Sequence, residues 1–188
     1  MYDMKVLFAT SNKNKVKEAN EIGKLFNIVF RQIDCRYTEI RDENVENVAV
    51  AGAEFAYKKI KKPVIVEDSG VYIDALDGFP GAYSKFVFNR IGNAGILNLM
   101  ANIRNRNATF ISAIAYRDSR VKNSFSGKVN GIISKKILGN AGFGYDPIFI
   151  PRGYKKTFAQ DSKFKNKISH RKIAVEKFCR WLKNKNNF

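Results

Sequence analysis

The chain has 188 residues, of which 45% are hydrophobic and 27% charged, a composition that fits one domain over 1–188 and excludes wholesale disorder. Its 34 Lys and Arg against 17 Asp and Glu give a formal net charge of +17, which attracts anions such as nucleic acid, acidic membranes or nucleotide phosphates. Two cysteines, Cys35 and Cys179, exclude a disulfide framework, no Cys/His spacing suggests zinc, and no run approaches the ~20 apolar residues of a membrane span. The apolar run at the start of the chain is too short for a signal peptide, so a soluble cytoplasmic protein is expected.

In chain order, Lys5 to Ala9 reads as a buried first strand, followed by polar Thr10 to Lys15 with Ser11 and Asn12 as helix-cap candidates. Val16, Ala19, Ile22, Gly23 and Phe26 recur at helical spacing, and Ile28 to Ile33 can form a second strand. Asn47 to Ile60 reads as helix. Pro63 to Val66 reads as a short buried strand that ends abruptly at Glu67-Asp68-Ser69-Gly70, with strand resuming over Val71 to Asp74. Gly78 to Gly81 has the chemistry of a loop. Tyr83 to Ile103 is mostly helical, interrupted at Gly92 and Gly95. Asn107 to Tyr116 and Val121 to Ile132 form a hairpin. A glycine-rich stretch from Gly139 to Asp146 leads into Ile148 to Ile150. Ser169 caps a last helix whose Ala174, Phe178, Trp181 and Leu182 share a face. Helices alternating with strands early and a hairpin later predict an α/β fold with a mixed sheet.

Charge is unevenly placed. Pro151 to Phe188 holds 12 basic residues against Asp161 and Glu176, whereas nine of the 17 carboxylates fall between Glu39 and Asp77. Four constellations carry chemistry. Thr10, Ser11, Asn12, Lys13, Asn14 and Lys15 join a strand to a helix, where N–H groups, hydroxyls and lysines can cradle phosphate, or simply cap the helix. Glu67 and Asp68 at a strand end suit a hard cation such as Mg²⁺, or cap neighbouring amides. Gly142 to Pro147 sets Phe143 between two glycines, where the ring can stack on a base or pack in the core. Lys165 and the only histidine, His170, which lies beside Arg171 in the first turn of a helix, would welcome an anion or a nucleotide edge, or the histidine is simply a structural or surface residue, as a lone histidine usually is.

Thr10-x-Asn12-x-x-Lys15, Glu67 to Gly70, Gly78 to Ser84, Gly142 to Phe149 and Ile168 to Arg171 together resemble the signature set of the inosine triphosphate pyrophosphatases, in that family's order. The resemblance implies an elongated mixed β-sheet flanked by helices, with two lobes around a nucleotide cleft, commonly in a homodimer. It implies hydrolysis of noncanonical purine triphosphates (ITP, dITP, XTP) to monophosphate and pyrophosphate. It places the triphosphate on Thr10 to Lys15, the cofactor Mg²⁺ on Glu39 and Asp68, and the proton of the attacking water on Asp68, with Lys15 assisting. Ser69 and Lys85 would contact substrate, and Phe143, Gly144, Tyr145, Asp146, Lys165, His170 and Arg171 would surround base and sugar. Asp42 stands where the family usually has glycine and is a second candidate for the carboxylate shell. The alternatives are a pyrophosphatase for another modified nucleotide, or a nucleic-acid-binding protein using the basic tail with Phe158, Phe164 and Trp181. Nucleic acid and membrane are not expected as partners of the enzyme.

Overall fold

A computed structural model describes residues 4–36 and 38–185; the sequence reading of residues 1–3 lies outside them. The described chain forms β1 (Met4–Ala9), α1 (Lys13–Gly23), β2 (Ile28–Ile33), α2 (Val45–Ile60), β3 (Val64–Ile73), β4 (Pro80–Gly81), α3 (Ser84–Leu99), β5 (Asn107–Arg117), β6 (Lys122–Ile133), β7 (Phe149–Pro151), α4 (Ser162–Ile168) and α5 (His170–Lys185). The strands make one mixed sheet in the order β2-β1-β3-β5-β6-β7, with β4 beside β3. β1 is parallel to β2 and β3, and the pairs from β3 to β7 are antiparallel. No helix among the described residues is long and apolar enough to cross a membrane.

The sheet has a gap. β1 leaves β3 after the pair Phe8–Ile65, and β4 meets the same edge only at Val71–Gly81. Between them the edge of β3 over Val66 to Gly70 has no strand neighbour, while its other edge stays paired with β5 from Arg117 to Ala108. Apolar cores flank the gap. On one side Phe8, Phe30, Phe178 and Leu182 pack between the sheet and α1 and α5, and Ala49, Ala53, Val64 and Val66 pack under α2. On the other, Ile96, Phe110, Phe149 and Phe158 fill the far lobe under α3. Burying each such aromatic contributes roughly 1.5–3 kcal/mol, which fixes the two lobes around the opening.

Several expectations are corrected. β3 does not stop at Glu67 but runs unbroken to Ile73, because β5 supplies hydrogen bonds along its whole length. Pro80–Gly81 is strand rather than loop. Asn12, not Ser11, caps α1, its side chain accepting from Asn14 N. α2 begins at Val45 under an Asn44 cap, earlier than the apolar spacing indicates. α3 ends at Leu99, and only Gly92 (φ 60°, ψ −163°) interrupts it. The seven-residue α4 has too little apolar periodicity to be read at all. Phe158 is fully buried and Trp181 packs against the core, so neither serves as a stacking platform for nucleic acid.

Candidate active site

The gap opens into a cleft of about 800 Å³. Because side chains alternate along a strand, Glu67 and Asp68 face opposite sides of β3, and they do different work. Glu67 and Ser69 face α1 and α5. Glu67 is 4% exposed and lies between two cations, with Lys15 Nζ 2.9 Å from Oε2 and Arg171 Nη2 3.1 Å from Oε1. Ser112 Oγ donates to Oε1 at 2.6 Å. Burial opposes its ionisation, but Arg171 and Lys15 hold its carboxyl well below the usual range. The expectation that the adjacent pair forms one cation site is thus corrected: Glu67 is spent on its own ion pairs.

Asp68 faces the other way, toward the loop before α2. Its Oδ2 is buried with no hydrogen-bond partner. Burial, reinforced by the negative charges of Glu67 and Glu39 and opposed by Lys15, pushes its carboxyl up to about 6. Glu39 is exposed and lines the same cleft. Asp42 lines it too, but its Oδ1 accepts from Asn44 N at 2.7 Å and its Oδ2 from Asn47 Nδ2 at 3.0 Å. Asp42 therefore caps the entry to α2. An orphaned carboxylate oxygen with a second carboxylate acting on it is an environment that a hard dication complements. Among the described residues no three His, Cys, Asp or Glu side chains form a ready-made cage, so phosphate oxygens and water would supply most of the shell, as is usual for Mg²⁺.

The phosphate end is the β1–α1 turn. Thr10 Oγ1 accepts from Asn12 N at 3.1 Å, and Lys15 Nζ also donates to the Glu67 carbonyl at 2.9 Å, one of the backbone groups freed by the gap. Thr10, Ser11, Asn12, Asn14 and Lys15 line the cleft. Lys13 is exposed and is not part of the lining, because it sits on the outer face of the first helical turn. Ser69 and the exposed Lys85 lie on the wall.

At the other end a buried network orders the aromatic loop. Lys165 Nζ lies 2.7 Å from both Glu18 Oε1 and Asp146 Oδ2. Arg171 Nη1 pairs with Glu18 Oε2 at 2.6 Å, and Nη2 donates to Ser69 Oγ at 3.0 Å. Asp146 Oδ2 also accepts from Phe143 N at 2.8 Å. Gly142 (φ 76°) permits that turn, since a Cβ there would fall 2.1 Å from Asp146 Oδ2. Lys165 Nζ and Arg171 Cζ then sit 4.6 and 5.3 Å from the Phe143 ring centroid, a cation–π contact that fixes the ring. Tyr145 is buried, its hydroxyl donating to Ser84 O at 3.1 Å, and Gly144 O accepts from Asn93 Nδ2 at 3.1 Å. His170 stacks on Phe110 at 4.4 Å and 5°. Burial, with the Arg171 and Lys165 charges, keeps its ring neutral well below the usual pKa. α5 can bring these residues in only because β6 has Gly127, where a Cβ would fall 2.1 Å from His170 O.

The sequence motifs do not include Glu18 or Ser112. Glu18 has a sequence signal, since it follows Lys15 by three and shares its helix face; Ser112 has none.

A cleft of nucleotide size, cationic at a helix start, carboxylate-lined in the middle and aromatic at the far end, defines a ligand-binding α/β protein of the mixed-sheet kind. The chain belongs to the Ham1 family, whose sequence profile matches residues 6–181. It is 46% identical to a dITP/XTP pyrophosphatase of Methanopyrus kandleri over 183 residues, 96% of this chain and 97% of that one. It is 44% identical to a dITP/XTP pyrophosphatase of Hyperthermus butylicus, covering 95% and 94%. Its fold is similar to that of a HAM1 protein from Coxiella burnetii, with a TM-score of 0.83 at 27% identity over 96% of this chain and 99% of that one.

Proposed function

We propose that the chain hydrolyses noncanonical purine nucleoside triphosphates (ITP, dITP, XTP) to monophosphate and pyrophosphate, clearing them from the nucleotide pool. The observation that carries this reading is the gap in the sheet, which sets an orphaned carboxylate, Asp68, between a phosphate-binding helix start and an aromatic platform.

In this reading Thr10, Ser11, Asn12, Asn14 and Lys15 hold the triphosphate with backbone N–H groups and one ammonium. Asp68 and Glu39 hold Mg²⁺, which when bound neutralises phosphate charge and lowers the pKa of water. Asp68, whose Oδ2 has no hydrogen-bond partner, takes the proton of the attacking water. Lys85 steadies the phosphates from the opposite lobe. At the base end Phe143 stacks, and Asp146, Lys165 and His170 offer the acceptor and donors that a 6-oxo purine with a ring N–H requires. Adenine lacks both features, so a site built for them rejects ATP. Arg171 has its Nη groups engaged with Glu18, Glu67 and Ser69, so its main contribution is to hold the wall. The family resemblance extends the proposal to a homodimer working in the cytoplasm.

The test is a nucleotide panel with Mg²⁺, scored separately for pyrophosphate and orthophosphate. ITP and XTP should release pyrophosphate in one step and outrun ATP; stepwise orthophosphate release, or equal turnover without a divalent ion, rejects the reading. Stacking is indifferent to base identity and worth roughly 1–3 kcal/mol. Phe143→Ala should therefore raise KM for ITP, XTP and GTP alike, by about 5- to 150-fold. Steady-state kinetics on the three substrates checks this, and a change confined to one base would place base reading on the ring itself.

A further inference from the structure

The activity proposed above leaves the +17 charge unused. Some surface cations have acidic partners, as Lys24 has Glu21, Lys58 has Glu54, Lys172 has Glu176 and Lys185 has Asp118, and many others make no ion pair among the described residues. One strip combines such unpaired cations with an exposed ring. Between β7 and the end of α4, the exposed cations Arg152, Lys155, Lys156, Lys163 and Lys167 make no ion pair among the described residues. The one acid in that stretch, Asp161, is occupied in capping α4, its Oδ1 accepting from Phe164 N at 3.0 Å. In the middle of the strip Tyr154 is 47% exposed and rests on Phe164, ring centroids 4.3 Å apart. That contact joins the turn carrying Arg152, Lys155 and Lys156 to the helix carrying Lys163 and Lys167. α4 thus has two sides: Lys165 points into the cleft wall, and its neighbours Lys163 and Lys167 face solvent.

We propose that this strip is a docking surface for single-stranded nucleic acid, bound without sequence preference. Unneutralised cations on a turn and a helix joined by the Tyr154–Phe164 contact suit a phosphate backbone, and an exposed ring packed from behind suits an unstacked base. The surface is separate from the cleft, so the chain would hold a strand on its outside while the cleft handles mononucleotides. This departs from the expectation that nucleic acid is no partner, and it uses neither Phe158 nor Trp181, which are core residues.

The probe is fluorescein-labelled dT20 in anisotropy titrations on the full chain. Five phosphate contacts on a single strand give a logarithmic salt slope of about −3.5, so affinity should fall about 100-fold between roughly 50 and 200 mM salt. Lys155→Glu with Lys156→Glu and Lys163→Glu should abolish binding, and Tyr154→Ala should weaken it at least about fivefold. Both variants should keep wild-type ITP turnover, which also shows that they fold. The proposal is overturned by no binding near 50 mM salt, or by binding indifferent to the charge reversal. It is also overturned if Tyr154→Ala binds as wild type, or if phosphatidylserine vesicles are held more tightly than dT20. A charge reversal that lowers kcat/KM for ITP, in a protein that never binds dT20, would make the strip a steering field for substrate instead.

Discussion

Replacing Asp68 by Asn is expected to reduce kcat by more than the ~10²–10⁴ ascribed to general-base catalysis alone, because the same carboxylate also serves the metal. The fold should survive, since Asn has the same shape and Asp68 Oδ2 has no hydrogen bond to lose. Stability should move the other way from activity. The folded protein pushes this carboxyl up to about 6 from an ordinary 3.8, so it binds the proton more tightly than the unfolded chain does. Ionised Asp68 consequently costs stability above pH 6, and that cost vanishes as pH falls below 3.8. Asp68→Asn should raise Tm at pH 7 and leave it unchanged near pH 3.5. Near-normal turnover in the folded variant would remove Asp68 from the reaction, and a lowered Tm at neutral pH in the metal-free protein would show that its buried charge does not cost stability.

The second large effect is structural. Arg171 is 1% exposed and holds two carboxylates, Glu18 and Glu67. Arg171→Met fills much of the volume but leaves Glu18 with Lys165 alone and Glu67 with Lys15 alone, at a cost of about 3–5 kcal/mol. For a chain of this size that corresponds to a Tm lower by roughly 6–20 °C. The folded pKa values of Glu18 and Glu67 lie below their ordinary 4.5. Their pairing therefore stabilises the protein fully above that pH and is lost as acid protonates them through their folded values. The Tm difference between wild type and Arg171→Met should accordingly be widest at neutral pH and shrink below pH 4.5. A difference independent of pH would mean that packing, not charge, accounts for the loss.

The sequence carries the early strand–helix alternation, the hairpin and the last helix plainly, because each has a long apolar periodicity and a polar boundary. It misreads β3 because Glu67-Asp68-Ser69-Gly70 has the composition of a turn, and the hydrogen bonds that keep it extended come from β5, some 40 residues away in the chain. The motif resemblance gathers much of the cleft lining but not Phe86, Asn89 or Phe110, which lie outside its motifs, and it includes Lys13, which does not line the cleft. What it does not convey is direction. Adjacent acids look like a pair on paper, yet strand geometry sends one into an ion-pair network and the other into the opening. Arg171 likewise reads as a free donor for a base, whereas Glu18, Glu67 and Ser69 already occupy its Nη groups. Such commitments are invisible until partners more than 100 residues apart are brought together.

The same separations set the order in which the cleft can come into being. Glu18 meets Lys165 across 147 positions and Arg171 across 153, so these contacts close nearly the whole chain. Pairings of such long range form slowly, after local helices and hairpins. A chain emerging from the ribosome can assemble β1, α1 and β2 early, but β1 then lacks its β3 neighbour and Glu18 has no cation to meet. The wall of the cleft closes only once α4 and the start of α5 have emerged. No nucleotide can be held before Lys165 and Arg171 reach Glu18, and a chain stalled short of them has no working site to expose.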